Sequence, residues 1–193
     1  MTANSFGRSI GDPMGSCLTE KAGGNPRATE DLQDPRPDAA RKRLCECTDQ
    51  RDACEAIREI VSNLLGCEEM ALFQLDGKHK QFLLIWSFGI EPKTCHLEEL
   101  LSQPALSVVI AGEAYIVDGF GETQKGRGQH GRAFVPIQFK GETAAVLVLL
   151  RLLPQKVMID ELDRELFAVL SREAGKPLFS GAPSYPARRE RKR

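Results

Sequence analysis

The sequence predicts an α+β domain in which one antiparallel β-sheet lies between terminal helices on one face and crossover segments on the other. Two observations lead to this prediction. An apolar hairpin over 133–150 runs directly into an amphipathic helix that begins near Asp160, and a second pair of strand candidates, 69–75 and 81–88, follows a helix nearer the N-terminus. Because several of these strands are apolar at successive positions, both faces of the sheet require a covering layer.

Length and composition set the domain organisation. The chain has 193 residues, enough for one well-buried domain with tails. Residues 1–38 are rich in Gly, Pro and Asp and lack apolar periodicity, so we expect a disordered tail there, a single domain over 39–180, and a second disordered tail over 181–193. The last six residues carry five positive charges and one negative charge, which would allow contact with an acidic partner.

The compartment follows from what the sequence lacks. No apolar run approaches membrane-spanning length, and the N-terminus has neither the charged lead nor the apolar core of a signal peptide. These features predict a cytoplasmic protein, in which the six cysteines are reduced thiols.

The first half of the domain reads as a long helix followed by a hairpin. The helix is predicted to run from Ala39 to Gly66, with a polar first half that projects beyond the domain and an apolar face in its second half. The strands 69–75 and 81–88 follow, joined by a turn at 76–79. Alternation along the second strand predicts two apolar faces. The side chains expected together on one of these faces are Phe82, Leu84, Trp86 and Phe88.

The middle of the chain reads as crossover segments. Residues 92–103 are polar and predict a loop with a short helix; a helix over 104–112 and a strand over 114–118 follow. The segment 119–132 is rich in Gly and charge and predicts a flexible loop. This loop is basic, but it precedes a strand and not a helix, so it lacks the amide nest and helix dipole that make a phosphate-binding loop.

The last third of the domain has the clearest pattern. Strands over 133–139 and 143–150 flank a glycine-bearing turn, and Pro136 predicts an edge position or a bulge in the first of them. The closing helix begins at Asp160 and is predicted to end at Gly175 and Pro177. The apolar stripe expected on this helix consists of Leu162, Leu166, Phe167, Leu170 and Ala174.

This succession of elements resembles a GAF domain over roughly residues 50 to 180. A PAS domain is the alternative fold; it shares the sheet but usually lacks the pair of long flanking helices. The phrases that carry the resemblance are Ile60-Val-Ser-Asn-Leu-Leu-Gly66, Val109-Ile-Ala-Gly-Glu-Ala-Tyr-Ile-Val-Asp118, Phe134-Val-Pro-Ile with Lys140-Gly-Glu, and Asp160-Glu-Leu-Asp-Arg-Glu-Leu-Phe-Ala-Val-Leu.

The resemblance implies a regulatory or sensory module that binds a small molecule or a protein partner and has no catalytic output of its own. It places the ligand pocket between the sheet and the crossover segments, and it leaves the cofactor open. Because the terminal helices can cover only one face of the strand 81–88, the crossover and the loop over 119–131 must cover the other, so we expect the cavity under that loop. The terminal helices would then be free to form a homodimer, in which the segment 41–65 pairs with its copy or with the helix that begins at Asp160. The residues expected to line the pocket are Trp86, Phe88, Tyr115, His130 and Phe134.

Phrases that mark particular ligands in the family are missing or misplaced. The Asn-Lys-Phe-Asp-Glu signature of cyclic-nucleotide-binding members is absent. Cys95-His-Leu-Glu resembles the phrase that attaches a bilin covalently in phytochrome-like members, but it lies about forty residues before Phe134 and lacks a preceding Asp-Ile-Pro, which disfavours a chromophore on Cys95. The pair Cys95 and His96 leaves one alternative from another class, a small thiol-dependent redox enzyme or redox sensor.

A metal centre is disfavoured by helical geometry. Cys45, Cys47, Cys54 and Cys67 lie within 23 residues, and His96 could complete a set of ligands. On one helix, however, positions 45 and 54 differ by about 180° of rotation, so these thiols would point to different faces. We therefore assign no metal ligand and no catalytic residue from the sequence.

Overall fold

Five strands form one antiparallel sheet in the computed structural model, which describes residues 34–76, 81–92, 97, 103–117, 131–156 and 158–181. Their order across the sheet is β2-β1-β5-β4-β3, so β2 and the very short β3 are the edges. The predicted strands 81–88 and 133–139 are confirmed residue for residue, and the other two long strands extend slightly beyond their predicted ends. The strands are β1 (Cys67–Asp76), β2 (Gln81–Phe88), β3 (Tyr115–Ile116), β4 (Ala133–Phe139) and β5 (Glu142–Leu152).

Helices cover both faces of this sheet. Four of them pack with one another and with one face of the sheet, and α3 packs on the opposite face. The predicted α+β architecture, with terminal helices on one side and the crossover on the other, is therefore confirmed. The helices are α1 (Arg36–Cys45), α2 (Gln50–Leu64), α3 (Gln103–Ile110), α4 (Glu161–Glu173) and α5 (Gly175–Phe179).

The central strand β5 is buried on both faces, as its continuous apolar sequence predicts. Ala145, Leu147 and Leu149 belong to the core beneath the terminal helices. The alternate residues Val146, Val148 and Leu150 belong to the core beneath the crossover. The two layers predicted from the sequence are both present.

The single N-terminal helix predicted from Ala39 is wrong, because the chain forms two helices there. The Asp49 side chain accepts a hydrogen bond of 2.8 Å from the backbone N–H of Asp52 and so caps the start of α2. The first helix ends at Cys45, and a short connection to Asp49 lets the chain change direction.

The polar first helix does not project from the domain, which corrects the second part of that prediction. Its residues Ala40 and Leu44 are buried in the core. On its outer side, Arg43 forms ion pairs with Asp52 at 3.0 Å and with Glu59 at 2.7 Å, both on α2. These two carboxylates raise the pKa of the Arg43 guanidinium above its ordinary value through their hydrogen bonds. The charged residues of α1 thus attach it to α2 and do not mark a solvated extension.

The start of α4 is held by a buried carboxylate. Asp160 and Asp163 form a reciprocal capping box, in which each backbone N–H donates a 2.9 Å hydrogen bond to the other side chain. Asp163 is fully buried and lies 2.6 Å from Lys156 Nζ and 3.5 Å from Arg36 Nη1. Since Arg36 also donates to the carbonyl of Leu64 at 3.2 Å, this cluster joins α1, α2 and α4.

This arrangement corrects two predictions. Leu162, expected in the apolar stripe, is 43% exposed, because the helix turns Asp163 inward instead. The folded region also begins before Ala39, since α1 starts at Arg36 and Pro37 is buried. The other stripe residues, Leu166, Phe167, Leu170 and Ala174, are buried as expected.

The C-terminal end of the helical layer also differs from the prediction. The closing helix ends where expected, at Glu173, but a further helix begins at Gly175 and includes Pro177. Residues 1–33 and 182–193 of the two predicted tails lie outside the described residues, as does most of the predicted loop. No helix among the described residues has the length and apolarity needed to cross a membrane.

Candidate functional site

A bulge in the edge strand β2 switches the face of the sheet to which its alternate side chains point. Leu72 pairs with Trp86 while Phe73 pairs with Leu84, so Ile85 is an extra residue with no partner of its own on β1. Leu84 consequently packs in the crossover core, whereas Trp86 packs against the core of the terminal helices. The expectation that the alternate residues from Phe82 to Phe88 share one face is therefore wrong.

The bulge places two of the predicted pocket residues on the side of the terminal helices. The rings of Trp86 and Phe88 are stacked, with centroids 6.5 Å apart and an interplanar angle of 9°. The Arg58 guanidinium of α2 lies 5.4 Å from the centroid of Phe88. These aromatic residues therefore form a surface with α2 and not with the crossover segments.

Two other predicted residues do come together on the crossover side. The rings of Tyr115 and Phe134 lie 6.3 Å apart, on adjacent strands. Phe134 is fully buried, and Gly131 approaches it so closely that a Cβ atom on the glycine would collide with the ring. Of the five predicted pocket residues, the four that the structure describes are thus divided between the two faces of the sheet. His130, Cys95 and His96 lie outside the described residues.

An open cleft of about 230 Å³ lies at the β3–β4 edge of the sheet, on the side of α4. The cleft predicted from the sequence was placed elsewhere, on the crossover face beneath the loop over 119–131. The residues that line the observed cleft are Gly112, Ala114, Ile116, Pro136, Gln138, Arg164, Phe167, Ala168, Ser171 and Arg172. Four of them have polar side chains: Gln138, Arg164, Ser171 and Arg172. The sequence analysis identified none of these four as a site residue.

Sheet topology keeps this edge open. β3 pairs only with Ala133 and Phe134, so beyond these residues no described strand covers β4 on that side. Pro136 lies in the uncovered part, and the register with β5 shifts between Ile137 and Gln138. The sequence prediction of an edge position or a bulge at Pro136 is confirmed.

The turn after α3 forms the far wall of the cleft. Gly112 ends α3 with φ of 93°, and its carbonyl accepts a 3.4 Å hydrogen bond from the Gln138 side chain. The buried Thr143 hydroxyl donates towards the carbonyls of Val109 and Ile110, at 3.3 and 3.2 Å. The hairpin β4–β5 thereby holds this turn in place beside α4.

The α4 wall carries the charge of the cleft. Arg164 and Arg172 are eight residues apart on α4, with Ala168 midway between them. Eight residues are about two helical turns, so both guanidinium groups project along the same side of the helix. Of the described residues, those that line the cleft include no carboxylate. The helical spacing of the two arginines was visible in the sequence, but the wall that faces them was not.

The described cysteines do not form a reactive centre. Burial raises the pKa of the Cys54 thiol to about 12 and that of Cys67 to about 11, and burial also raises the pKa of Cys47. Cys45 is exposed. Within the described ranges, no group of three His, Cys, Asp or Glu side chains could hold a metal ion.

We expect iodoacetamide at pH 8 to alkylate Cys45 in the native protein while Cys54 and Cys67 stay unmodified. Both buried thiols are inaccessible, and with a pKa of about 11 Cys67 is only about one part in a thousand ionised at that pH. Peptide mass spectrometry after timed alkylation measures this. The matched control is the same reaction in urea, where all three should react, and equal native rates for Cys45 and Cys54 would contradict the described packing.

Comparison with known proteins establishes the fold. No protein-family model matches the chain, and neither does any curated protein. The GAF domain from Acinetobacter phosphoenolpyruvate-protein phosphotransferase is similar in structure, with a TM-score of 0.57 and 16% identity over 77% of this chain and 93% of that domain. The GAF domain of the corresponding Coxiella burnetii protein gives 0.54 and 17% over 74% and 90%.

A third solved structure extends the comparison to another kind of protein. Residues 122 to 287 of a methyl-accepting chemotaxis protein give a TM-score of 0.53 and 15% identity, over 72% of this chain and 94% of that structure. Identities this low show the fold alone. The chain therefore has the GAF-like fold that its sequence resembles.

Proposed function

We propose that this GAF-like domain is a cytoplasmic regulatory module that senses a small molecule or a protein partner and passes the response on through protein contacts. Its fold is similar to that of domains from a phosphotransferase and a chemotaxis protein, and this likeness supports the proposal. The domain has no catalytic site of its own in this proposal, and the basic C-terminal segment is free to contact an acidic partner.

The observation that carries the proposal is the double role of α4. One side of this helix lines the open cleft through Arg164, Phe167 and Ser171. Its first turn presents Asp163, whose carboxylate pairs with Arg36 of α1. A ligand that moves α4 at the cleft therefore also changes the contacts of α1, the first described helix.

The predicted residues on the crossover face of the sheet remain part of this proposal. Tyr115 and Phe134 share that face, so they remain the proposed ligand contacts there, together with His130 from the loop. Trp86 and Phe88 belong to the opposite face and could take part only in a separate contact.

The homodimer also remains a proposal, but its test changes. Ile57, which lies in the segment 41–65 expected to form the dimer, is fully buried in the domain's own core. Ile57→Glu would unfold the domain whatever its oligomeric state. The oligomeric state must therefore be measured on the wild-type protein.

Native mass spectrometry of the full chain purified from its own host tests the proposal. We expect a species heavier than the 21.3 kDa chain by a stoichiometric small molecule or partner, and the same spectrum reports whether two copies associate. Only bare monomers, combined with steady turnover of a peroxide or disulfide that Cys95→Ala abolishes, would replace the regulatory module with the redox enzyme. Bare monomers without turnover would contradict the sensing role itself.

A further inference from the structure

We propose that the cleft between α4 and the edge of β4 binds a small molecule with a carboxylate or phosphate group on an apolar body. This inference rests on the proposed function in naming what the regulatory module senses. The cleft lies on the side of the terminal helices, so it is separate from the crossover-face pocket that the family resemblance implies. Three properties of its lining lead to this ligand class: two available cations, an available serine hydroxyl, and an apolar floor.

The two guanidinium groups are available for an anion. Arg172 has no ion pair or hydrogen bond within the described part of the chain. Among the described residues, Arg164 pairs with one carboxylate, that of Glu161 at 3.8 Å, and 84% of the Glu161 side chain is exposed. A pair this long and this exposed contributes little, so it competes weakly with a ligand oxyanion. Arginine binds carboxylate and phosphate groups with two parallel hydrogen bonds, which makes the pair suitable for either.

Ser171 adds a hydrogen-bond donor to the two arginines in the cleft. This residue is only 8% exposed and lines the cleft, yet its hydroxyl has no hydrogen-bond partner among the described residues. The hydroxyl itself is accessible, because Ser62 Oγ is the one side-chain oxygen or nitrogen among the described residues that is both buried and without a partner. A ligand oxygen in the cleft, next to Arg172, would accept a hydrogen bond from this hydroxyl.

The floor and the size of the cleft limit the rest of the ligand. Ile116, Pro136 and Phe167 supply apolar surface between the α4 arginines and the β4 edge. A cavity of about 230 Å³ is smaller than the pockets that hold drug-sized ligands, roughly 300 to 1,000 Å³. The cleft therefore suits a single small apolar group with one anionic end, and it is too small to bury a dinucleotide.

Isothermal titration calorimetry of the full chain with four probes tests this ligand class. Benzoate and phenyl phosphate carry the anion on an apolar ring, benzyl alcohol has the ring without the charge, and inorganic phosphate has the charge without the ring. We expect one saturable site for at least one of the two ring-bearing anions, at least tenfold weaker binding of the other two probes, and weaker binding as salt rises. The ratio between benzoate and phenyl phosphate then identifies which anion the cleft prefers.

Variants place the binding in the cleft. Arg172→Gln and Ser171→Ala should each weaken the binding of the preferred anion, and Arg172→Gln should do so by about tenfold or more. The matched control is Arg41→Gln, which removes an exposed arginine on α1 outside the cleft and should leave the affinity unchanged. Arg172 is exposed, so its replacement should not unfold the domain, and circular dichroism checks this.

Several outcomes overturn the inference. These are benzyl alcohol binding as tightly as the anions, Arg172→Gln binding like the wild type, or no saturable binding of either ring-bearing anion up to about 10 mM. Hydrogen exchange of α1 with and without the bound probe separates this inference from the proposed function. Binding that leaves exchange in α1 unchanged would keep the cleft as a binding site and remove the transmission through Asp163 and Arg36.

Discussion

Replacing Asp163 with alanine is expected to lower the free energy of unfolding by about 3 kcal/mol. The carboxylate is fully buried, pairs with Lys156 at 2.6 Å, and completes the capping box with Asp160. Loss of one partner of a buried ion pair costs roughly 3 to 5 kcal/mol. We expect the lower end of this range, because Lys156 and Arg36 are 21% and 23% exposed and can regain water once Asp163 is removed.

Urea denaturation of the variant and the wild type measures this effect. The matched control is Glu161→Ala, which removes an acidic side chain from the same turn of α4, but one that is 84% exposed. This control should cost about 0.5 kcal/mol or less. Equal losses in the two variants would mean that the cluster joining α1, α2 and α4 contributes only the ordinary effect of an acidic residue at a helix start.

Replacing Gly175 with alanine is expected to destabilise the protein by about 2 kcal/mol, although alanine is the better helix former by about 1 kcal/mol. A Cβ atom at this position would overlap the carbonyl oxygen of Gln138 and lie 2.9 Å from its carbonyl carbon. The obstacle is the backbone at the end of β4, which cannot rotate away as a side chain could. The steric cost therefore outweighs the gain in helix propensity.

The control for this prediction is Gly181→Ala, because no described atom lies within 4 Å of a Cβ atom placed there. Its free energy of unfolding should stay within about 0.5 kcal/mol of the wild type. Both variants can be compared by urea denaturation under the same conditions. A stabilised Gly175→Ala protein would show that α5 does not approach β4 as closely as described.

The sequence by itself determined most of the secondary structure and the layering of the domain. Period-two and period-four patterns, with glycine at the turns, identified β2, β4, α3 and α4 to within a residue or two. The unbroken apolar run of β5 predicted a strand buried on both sides. These properties depend on residues a few positions apart, so they can be predicted without knowledge of the fold.

The break between α1 and α2 was within reach of the sequence. Asp49 and Asp52 have the spacing of a helix start, an acceptor at the cap and an acidic residue three positions later. The polar character of the surrounding residues instead suggested one solvated helix. Only the tertiary structure shows that Arg43 forms ion pairs with two carboxylates of α2.

The bulge at Ile85, the buried place of Asp163 and the cleft beside α4 were decided by tertiary structure alone. Ile85 is extra only relative to Leu72 and Phe73 on another strand. Asp163 is turned inward towards Arg36, 127 residues away in the chain. The cleft needs the turn at Gly112, the open edge of β4 and the arginines of α4 at the same place. Each of these features depends on which distant segments meet, and local periodicity contains no information about that.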